Sequence, residues 1–170
     1  MAVTPHPDTA APAIHCAVIT VSDTRTVDTD RSGQLIQQLL HDAGHHVMAY
    51  TIVKDEPAQI QAALQQLSHQ VGLAAVIVNG GTGIAPRDTT YDALAILLEK
   101  TLPGFGELFR SLSYQEIGSR AMASRAIAGV YGSQLVFSVP GSTGAVTLAM
   151  QALILPELRH LVSQIQAGSP

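Results

Sequence analysis

Charge is what this sequence has least of. Only 13% of its 170 residues are Asp, Glu, Lys or Arg, about half the share of roughly 25% in an average soluble chain, while 46% are hydrophobic. A chain of this length suits one domain with a real core and is too short for two. Its scarce surface charge implies a face covered by copies of the same chain, so a homo-oligomer is expected. A membrane span would account for the same shortage, but the longest apolar run, around Leu73 to Val78, falls far short of the ~20 residues that cross a bilayer. Positive charge is also short: 9 Lys and Arg stand against 13 Asp and Glu, a net charge of −4, which offers a nucleic acid no general attraction. Cys16 is the only cysteine, which excludes an intramolecular disulfide. The first residues carry no basic stretch followed by an apolar one, so a cytoplasmic protein is expected. His41, His45, His46, His69 and His160 match no zinc spacing. Both the P-loop lysine pattern and the GxGxxG spacing are missing too.

What is present is an alternation. Residues 1–13 hold three prolines without periodicity and read as a flexible tail, leaving 14–170 as a single domain. Residues 14–21, IHCAVITV, form a short β-branched run suited to a strand buried on both faces. A polar loop Ser22-Asp23-Thr24 follows, then a helix that Ser32 could cap, with Leu35, Ile36, Leu39 and Leu40 on one stripe before Gly44. The unit recurs with a strand near 46–53 and a helix opened by Pro57. A third strand, 74–79, runs into Gly80, and a helix bearing Leu94, Ile96, Leu97 and Leu98 follows. Residues 105–114 read as helical, and 126–131 with 135–139 as two strands around Gly132-Ser133 that could pair antiparallel. From about Ala145 a helical pattern runs on, which Pro156 must kink or restart. The fold predicted is a three-layer α/β sandwich, a mostly parallel sheet covered by helices on both faces. Such sheets bind ligands at the carboxyl ends of their strands.

The loops at that edge carry the candidate chemistry. In VIVNGGTGIAPRDTT, Gly80, Gly81, Thr82 and Gly83 lie between a buried strand and a helix. Glycines let backbone N–H groups converge on a phosphate, and Thr82 adds a hydroxyl. A tight turn needing glycine for backbone reasons would look the same. Asp88 either caps the next helix or faces a ligand, and Asp55, just before Pro57, has the same two readings. Both carboxylates lie at the presumed ligand edge, where a pair could hold Mg²⁺ against phosphate oxygens. Pro140-Gly141-Ser142 is another strand-to-helix loop at that edge, a turn by itself or a source of donors for a second polar group.

Five segments occur in one order: Thr20-Val21-Ser22-Asp23; Asn79-Gly80-Gly81-Thr82-Gly83 with Arg87-Asp88-Thr89-Thr90; Pro103-Gly104-Phe105-Gly106-Glu107; Ser124-Arg125; and Val139-Pro140-Gly141-Ser142. Together they resemble the MoaB/MogA family of molybdenum cofactor biosynthesis proteins over about 14–165. RTVDTDRSG at 25–33 and the VPGS segment look closer to the MoaB branch. The resemblance implies a molybdopterin-binding α/β fold assembled as a homo-trimer or homo-hexamer. It also implies a reaction with ATP and Mg²⁺, in which the terminal phosphate of molybdopterin attacks the α-phosphate and pyrophosphate leaves. Asp55 and Asp88 match the aspartates that the family uses in adenylyl transfer, and Glu107 and Ser124 match positions around the pterin pocket. Ser22, Asp23, Gly80–Gly83, Pro140, Gly141 and Ser142 complete the expected binding set. A non-catalytic molybdopterin-binding protein of the MoaB type, for storage or delivery, stands as the alternative.

Overall fold

The computed structural model describes residues 12–167. The tail expected over 1–13 therefore lies, up to residue 11, outside the described residues. Six strands form one sheet in the order β2-β1-β3-β6-β5-β4. They are β1 His15–Val21, β2 His46–Val53, β3 Ala75–Asn79, β4 Lys100–Thr101, β5 Ile127–Tyr131 and β6 Gln134–Val139. β1 pairs parallel with β2 and β3, and β3 pairs parallel with β6. β5 is antiparallel to both of its neighbours, so it alone runs against the rest. The antiparallel β5–β6 hairpin is the pairing that the Gly132-Ser133 turn implied.

The period-two alternation of the strands feeds two cores. On one face Cys16, Val18, Ala75, Ile77, Leu135 and Phe137 pack with Ile36 and Leu40 of α1 (Arg31–Asp42), Phe109 of α4 (Pro103–Ile117) and Met150, Ile154 and Leu158 of the C-terminal helices. On the other, Ala17, Ile19, Val76, Val78 and Val136 meet Ile60 and Leu64 of α2 (Pro57–Ser68) and Leu94 of α3 (Thr90–Ala95). The three layers are thus as expected. Each such large side chain, taken fully out of water, contributes roughly 1.5–3 kcal/mol. Burial also pushes the Cys16 thiol up to about 12, which keeps it protonated and inert.

Pro156 acts as its chemistry requires. Its missing N–H breaks the i to i−4 ladder, and the turn before it widens into a π-helical segment, Met150–Ile154, between α5 (Thr143–Ala149) and α6 (Leu155–Ala167). The joined helices, Thr143–Ala167, are by length and composition apolar enough to cross a membrane. Val146, Ala149, Met150, Ile154, Leu158 and Val162 are instead buried against the sheet, as in the core helix of a packed domain.

In three places the local structure departs from expectation. Ser32 does not cap α1; Asp30 does, its carboxylate accepting from the Gly33 N–H at 3.0 Å. Ser32 lies inside the first turn and donates to Asn79 Oδ1 at 2.9 Å. The helix expected to carry Leu94, Ile96, Leu97 and Leu98 ends at Ala95, and Ile96 is 76% exposed. β4, two exposed residues paired with β5, has no apolar pattern that would announce it.

Candidate functional site

Because β1, β2, β3 and β6 are parallel, their carboxyl ends share one edge. The chain order reverses there between β1 and β3, the position at which open α/β sheets form a ligand crevice. At this edge the sheet's apolar alternation turns polar. Thr20 and Asn79, in register across β1 and β3, continue the faces of Val18 and Ile77, and Asn79 Nδ2 donates to Thr20 Oγ1 at 2.8 Å. Asn79 Oδ1 in turn accepts from Ser32. Asp30, fully buried, receives the Tyr50 hydroxyl at 2.6 Å, Ser32 Oγ at 3.1 Å and Arg25 Nη1 at 3.2 Å. Burial alone would raise its pKa, but hydrogen bonds from Thr20, Tyr50, Gly33 and Ser32 outweigh it and hold the carboxyl below its ordinary value. Burial, together with the same carboxylate, pushes the Tyr50 phenol up.

On this polar floor stands the glycine loop. Gly80 has φ +102° and Gly81 φ +64°, conformations that glycine alone adopts readily. Space enforces the same choice: a Cβ at Gly80 would strike the carbonyl of Val21, and one at Gly81 would strike Thr90 Oγ1 and Asp55 Oδ2. The Gly80 N–H donates to Val139 O at 3.0 Å, and Gly81 O accepts from the Thr90 N–H at 3.1 Å. Gly141 lies against Gly80, where an added Cβ would come within 3.2 Å of its Cα.

Neither aspartate caps a helix. The N-cap of α2 is Glu56 and that of α3 is Thr89, neither with a side-chain cap bond. Asp55 reaches across from the end of β2, its Oδ1 accepting from the Thr89 N–H at 3.0 Å and from Thr89 Oγ1 at 2.7 Å, while Oδ2 faces Gly81. Asp88 Oδ2 accepts from the Ala85 N–H at 2.9 Å, and its own N–H donates to Ala85 O at 2.9 Å. These two bonds close a tight turn over Ala85-Pro86-Arg87-Asp88, with proline at its favoured second position. The carboxylate of Asp88 also faces Gly83. Two carboxylates from different strand ends thus flank one glycine loop. A third, Asp23, accepts from the Asp55 N–H at 3.3 Å and pairs with Arg87.

A family model described as "Probable molybdopterin binding domain" matches residues 17–160. The chain belongs to that family. Over 166 residues it is 53% identical to Molybdenum cofactor biosynthesis protein B of Halalkalibacterium halodurans, covering 97% of this chain and 98% of that protein. The solved structure of a Molybdenum cofactor biosynthesis protein B superposes with a TM-score of 0.91 at 52% identity, over 93% of this chain and 99% of the other. A MogA chain superposes at 0.81 with 27% identity, over 89% and 99%. The lower identity to MogA agrees with the lean of 25–33 and the VPGS segment toward the MoaB branch.

At this crevice the expected residues divide. Ser22, Asp23, Asp55, Gly80, Gly81, Gly83, Asp88 and Gly141 meet at the crevice, although the Ser22 hydroxyl is engaged in turning its own loop, accepting from the N–H groups of Thr24 and Arg25. Thr82 is 3% exposed, so it faces inward. Pro140 follows β6, and Ser142 caps α5 by accepting from the Ala145 N–H at 3.3 Å. Glu107 stands apart on α4, lining a cavity of about 230 Å³ with Tyr91, Gly106 and Arg110. The Ser124 hydroxyl is buried without a partner among the described residues.

Arg125, for which the sequence suggests no role, braces the whole loop. Its N–H donates to Thr82 O at 3.0 Å, Nε to Gly83 O at 3.0 Å and Nη2 to Asp88 O at 2.9 Å. Nη1 pairs with Asp92 at 3.0 Å, and the guanidinium lies 5.0 Å over the Tyr91 ring. On the other side Arg25 braces the neighbouring loop after β6, joining Asp30 to Gly141 O at 3.0 Å. No sequence spacing links these residues to the loop, because each acts across a long chain separation.

Proposed function

We propose that the protein acts in molybdenum cofactor biosynthesis as a molybdopterin adenylyltransferase, binding molybdopterin and ATP at the Gly80–Gly83 crevice. The observation that carries this reading is the placing of Asp55 and Asp88 against one glycine loop, neither being the N-cap residue of the helix that follows it. Phosphoryl-type transfer depends on alignment and charge neutralisation more than on covalent help from the protein. Here the glycine loop supplies approach to phosphate, with Arg125 bonded to its carbonyls and Arg25 bonded to the adjoining Gly141 loop. An oxygen of the molybdopterin phosphate forms a bond to the α-phosphorus of ATP, the bond to the bridging oxygen breaks, and pyrophosphate leaves.

Asp55 and Asp88 would hold Mg²⁺, which supplies neutralisation of the phosphate charge. No cluster of three or more His, Cys, Asp or Glu fit to hold a metal occurs among the described residues. An ion held by these two carboxylates alone would keep several waters and take its remaining oxygens from the nucleotide. Ser142, Glu107 and Ser124 are assigned to the pterin side. We further propose one domain over 14–170, acting in the cytoplasm as a homo-trimer or homo-hexamer. Exposed Leu108, Tyr114, Ile117 and Met122 on α4 and the 3₁₀ helix after it support the assembly, as does the shortage of charge.

One observation favours the alternative of a non-catalytic molybdopterin carrier. Asp55 and Asp88 already hold Thr89 and the Ala85 N–H, and loop bracing alone would account for them. ATP-dependent release of pyrophosphate in the presence of molybdopterin separates the two: the enzyme releases it and the carrier does not.

A further inference from the structure

Three arginines touch the crevice loops, and they differ in how far they are committed. The Arg25 guanidinium is shared among Asp30, Ser32 and Gly141 O. That of Arg125 is spent on Gly83 O, Asp88 O, both oxygens of Asp92 and the face of Tyr91. Arg87 pairs with Asp23 Oδ2 alone among the described residues, and its side chain is 70% exposed. The reason is the turn described above: Arg87 occupies its third position, at the tip, where the side chain projects away from the backbone that Asp88 closes.

We propose that Arg87 is the exchangeable phosphate ligand of this site, parked on Asp23 in the free protein and transferred to a phosphate of the incoming substrate. An exposed carboxylate pair of this kind holds an arginine weakly. A phosphate offers more charge and a matching array of oxygens to the guanidinium fork, so it competes well for it. Asp23 also accepts from the Asp55 N–H at 3.3 Å. The Asp23–Arg87 pair therefore ties the loops after β1 and β2 to the turn after β3, across the mouth of the crevice. Passing Arg87 to phosphate frees that mouth while the loop floor, braced by Arg25 and Arg125, stays in place.

The inference rests on the proposed function only in that a phosphate-bearing ligand enters the crevice. The test is calorimetric titration of Mg-ATP, and separately of molybdopterin, into wild type, Arg87→Ala, Asp23→Asn and the double variant. Arg87→Ala is expected to weaken at least one ligand by about tenfold or more, the loss of one charge-assisted contact. The affected ligand identifies whether the triphosphate or the pterin phosphate takes the guanidinium. Asp23→Asn keeps an acceptor for the Asp55 N–H and releases Arg87, so it tightens the same ligand severalfold. In the double variant that gain disappears. Unchanged affinity for both ligands in Arg87→Ala overturns the inference, as does no binding of either by wild type. It is equally overturned by an Asp23→Asn gain that persists without Arg87, which would be charge acting through space. Arg87-dependent binding of molybdopterin without pyrophosphate release would refute adenylyl transfer and leave Arg87 assigned. Turnover with Arg87-independent binding would do the reverse.

Discussion

At the carboxyl edge of the sheet the ends of β1, β2 and β3 deliver Ser22, Asp23, Asp55 and Gly80, whereas at the amino edge the residues around the starts of β1 and β2 are His15, His45 and His46. The amino edge carries a hollow of about 450 Å³ lined among others by Leu102, Val130, Leu135 and Leu161. The buried histidine at that edge is half satisfied: His45 Nδ1 accepts from the Ile14 N–H at 3.1 Å, its Nε2 is buried without a partner among the described residues, and burial, helped by Arg159 and His46, lowers its pKa to about 4. The carboxyl edge shows the opposite. Its backbone takes conformations that only glycine tolerates, its carboxylates come from three separate loops, and two arginines brace it from either side. A hollow alone does not mark a site; convergence of costly features on one point does.

Gly81→Val should break this contrast most severely. The change forces a β-branched residue into φ +64° and drives its Cβ into Thr90 and Asp55. Loss of ligand affinity by more than tenfold is expected, with a stability cost of about 1–3 kcal/mol for the strained backbone. A folded variant with wild-type affinity for molybdopterin would reduce the loop to a turn.

Asp30→Ala should act on stability first. It removes the cap of α1, leaves the part-buried Tyr50 hydroxyl without its acceptor and takes the carboxylate away from Arg25, for a loss of about 2–3 kcal/mol. Denaturant unfolding measures this, and a change within about 0.5 kcal/mol, the range of surface substitutions, would show that the polar floor is not a structural unit.

The amino edge should reveal itself only through pH. Because the folded-state pKa of His45 lies below the ordinary value of 6.5, protonation favours the unfolded chain. The contribution is present in full above about pH 6.5 and is lost as pH falls toward 4. His45→Asn keeps an acceptor for Ile14 and removes the titration, so the decline in Tm across that window should flatten. Asp30, depressed below the carboxylate range, contributes above its unfolded pKa of about 3.9, and its contribution is lost only as pH falls through a lower value. An unaltered slope in His45→Asn would show that His45 does not set the acid side of the stability profile.

Much of this contrast is legible in the sequence. The apolar runs of β1, β2 and β3 and the Gly-Ser turn of the β5–β6 hairpin carry their own periodicity. Gly80–Gly83 stands out because three glycines directly after a buried strand concentrate more backbone freedom than a single turn requires. The cap of α1 lies two residues before the one the sequence suggests, since Asp30 and Ser32 are both good caps and only the geometry of the Gly33 N–H chooses between them. The bracing by Arg25 and Arg125 is invisible in sequence: Gly141 O lies 116 residues from Arg25, and Gly83 O lies 42 residues from Arg125. That neither Asp55 nor Asp88 is the N-cap residue of the helix that follows it is likewise visible only in three dimensions, where they receive Thr89 and the Ala85 N–H.

The central claim, adenylyl transfer at the glycine loop, is tested most directly by pyrophosphate release from ATP and molybdopterin in wild type and Asp88→Asn, with Tm and pterin affinity followed in parallel. Asparagine keeps an oxygen for the Ala85 N–H, so stability should change by less than about 1 kcal/mol, and molybdopterin should still bind. Losing the charge that positions Mg²⁺ and the attacking phosphate should lower turnover by roughly 10²–10³-fold. Normal turnover in Asp88→Asn would contradict the role given to that carboxylate, and no pyrophosphate from the wild type would contradict catalysis itself.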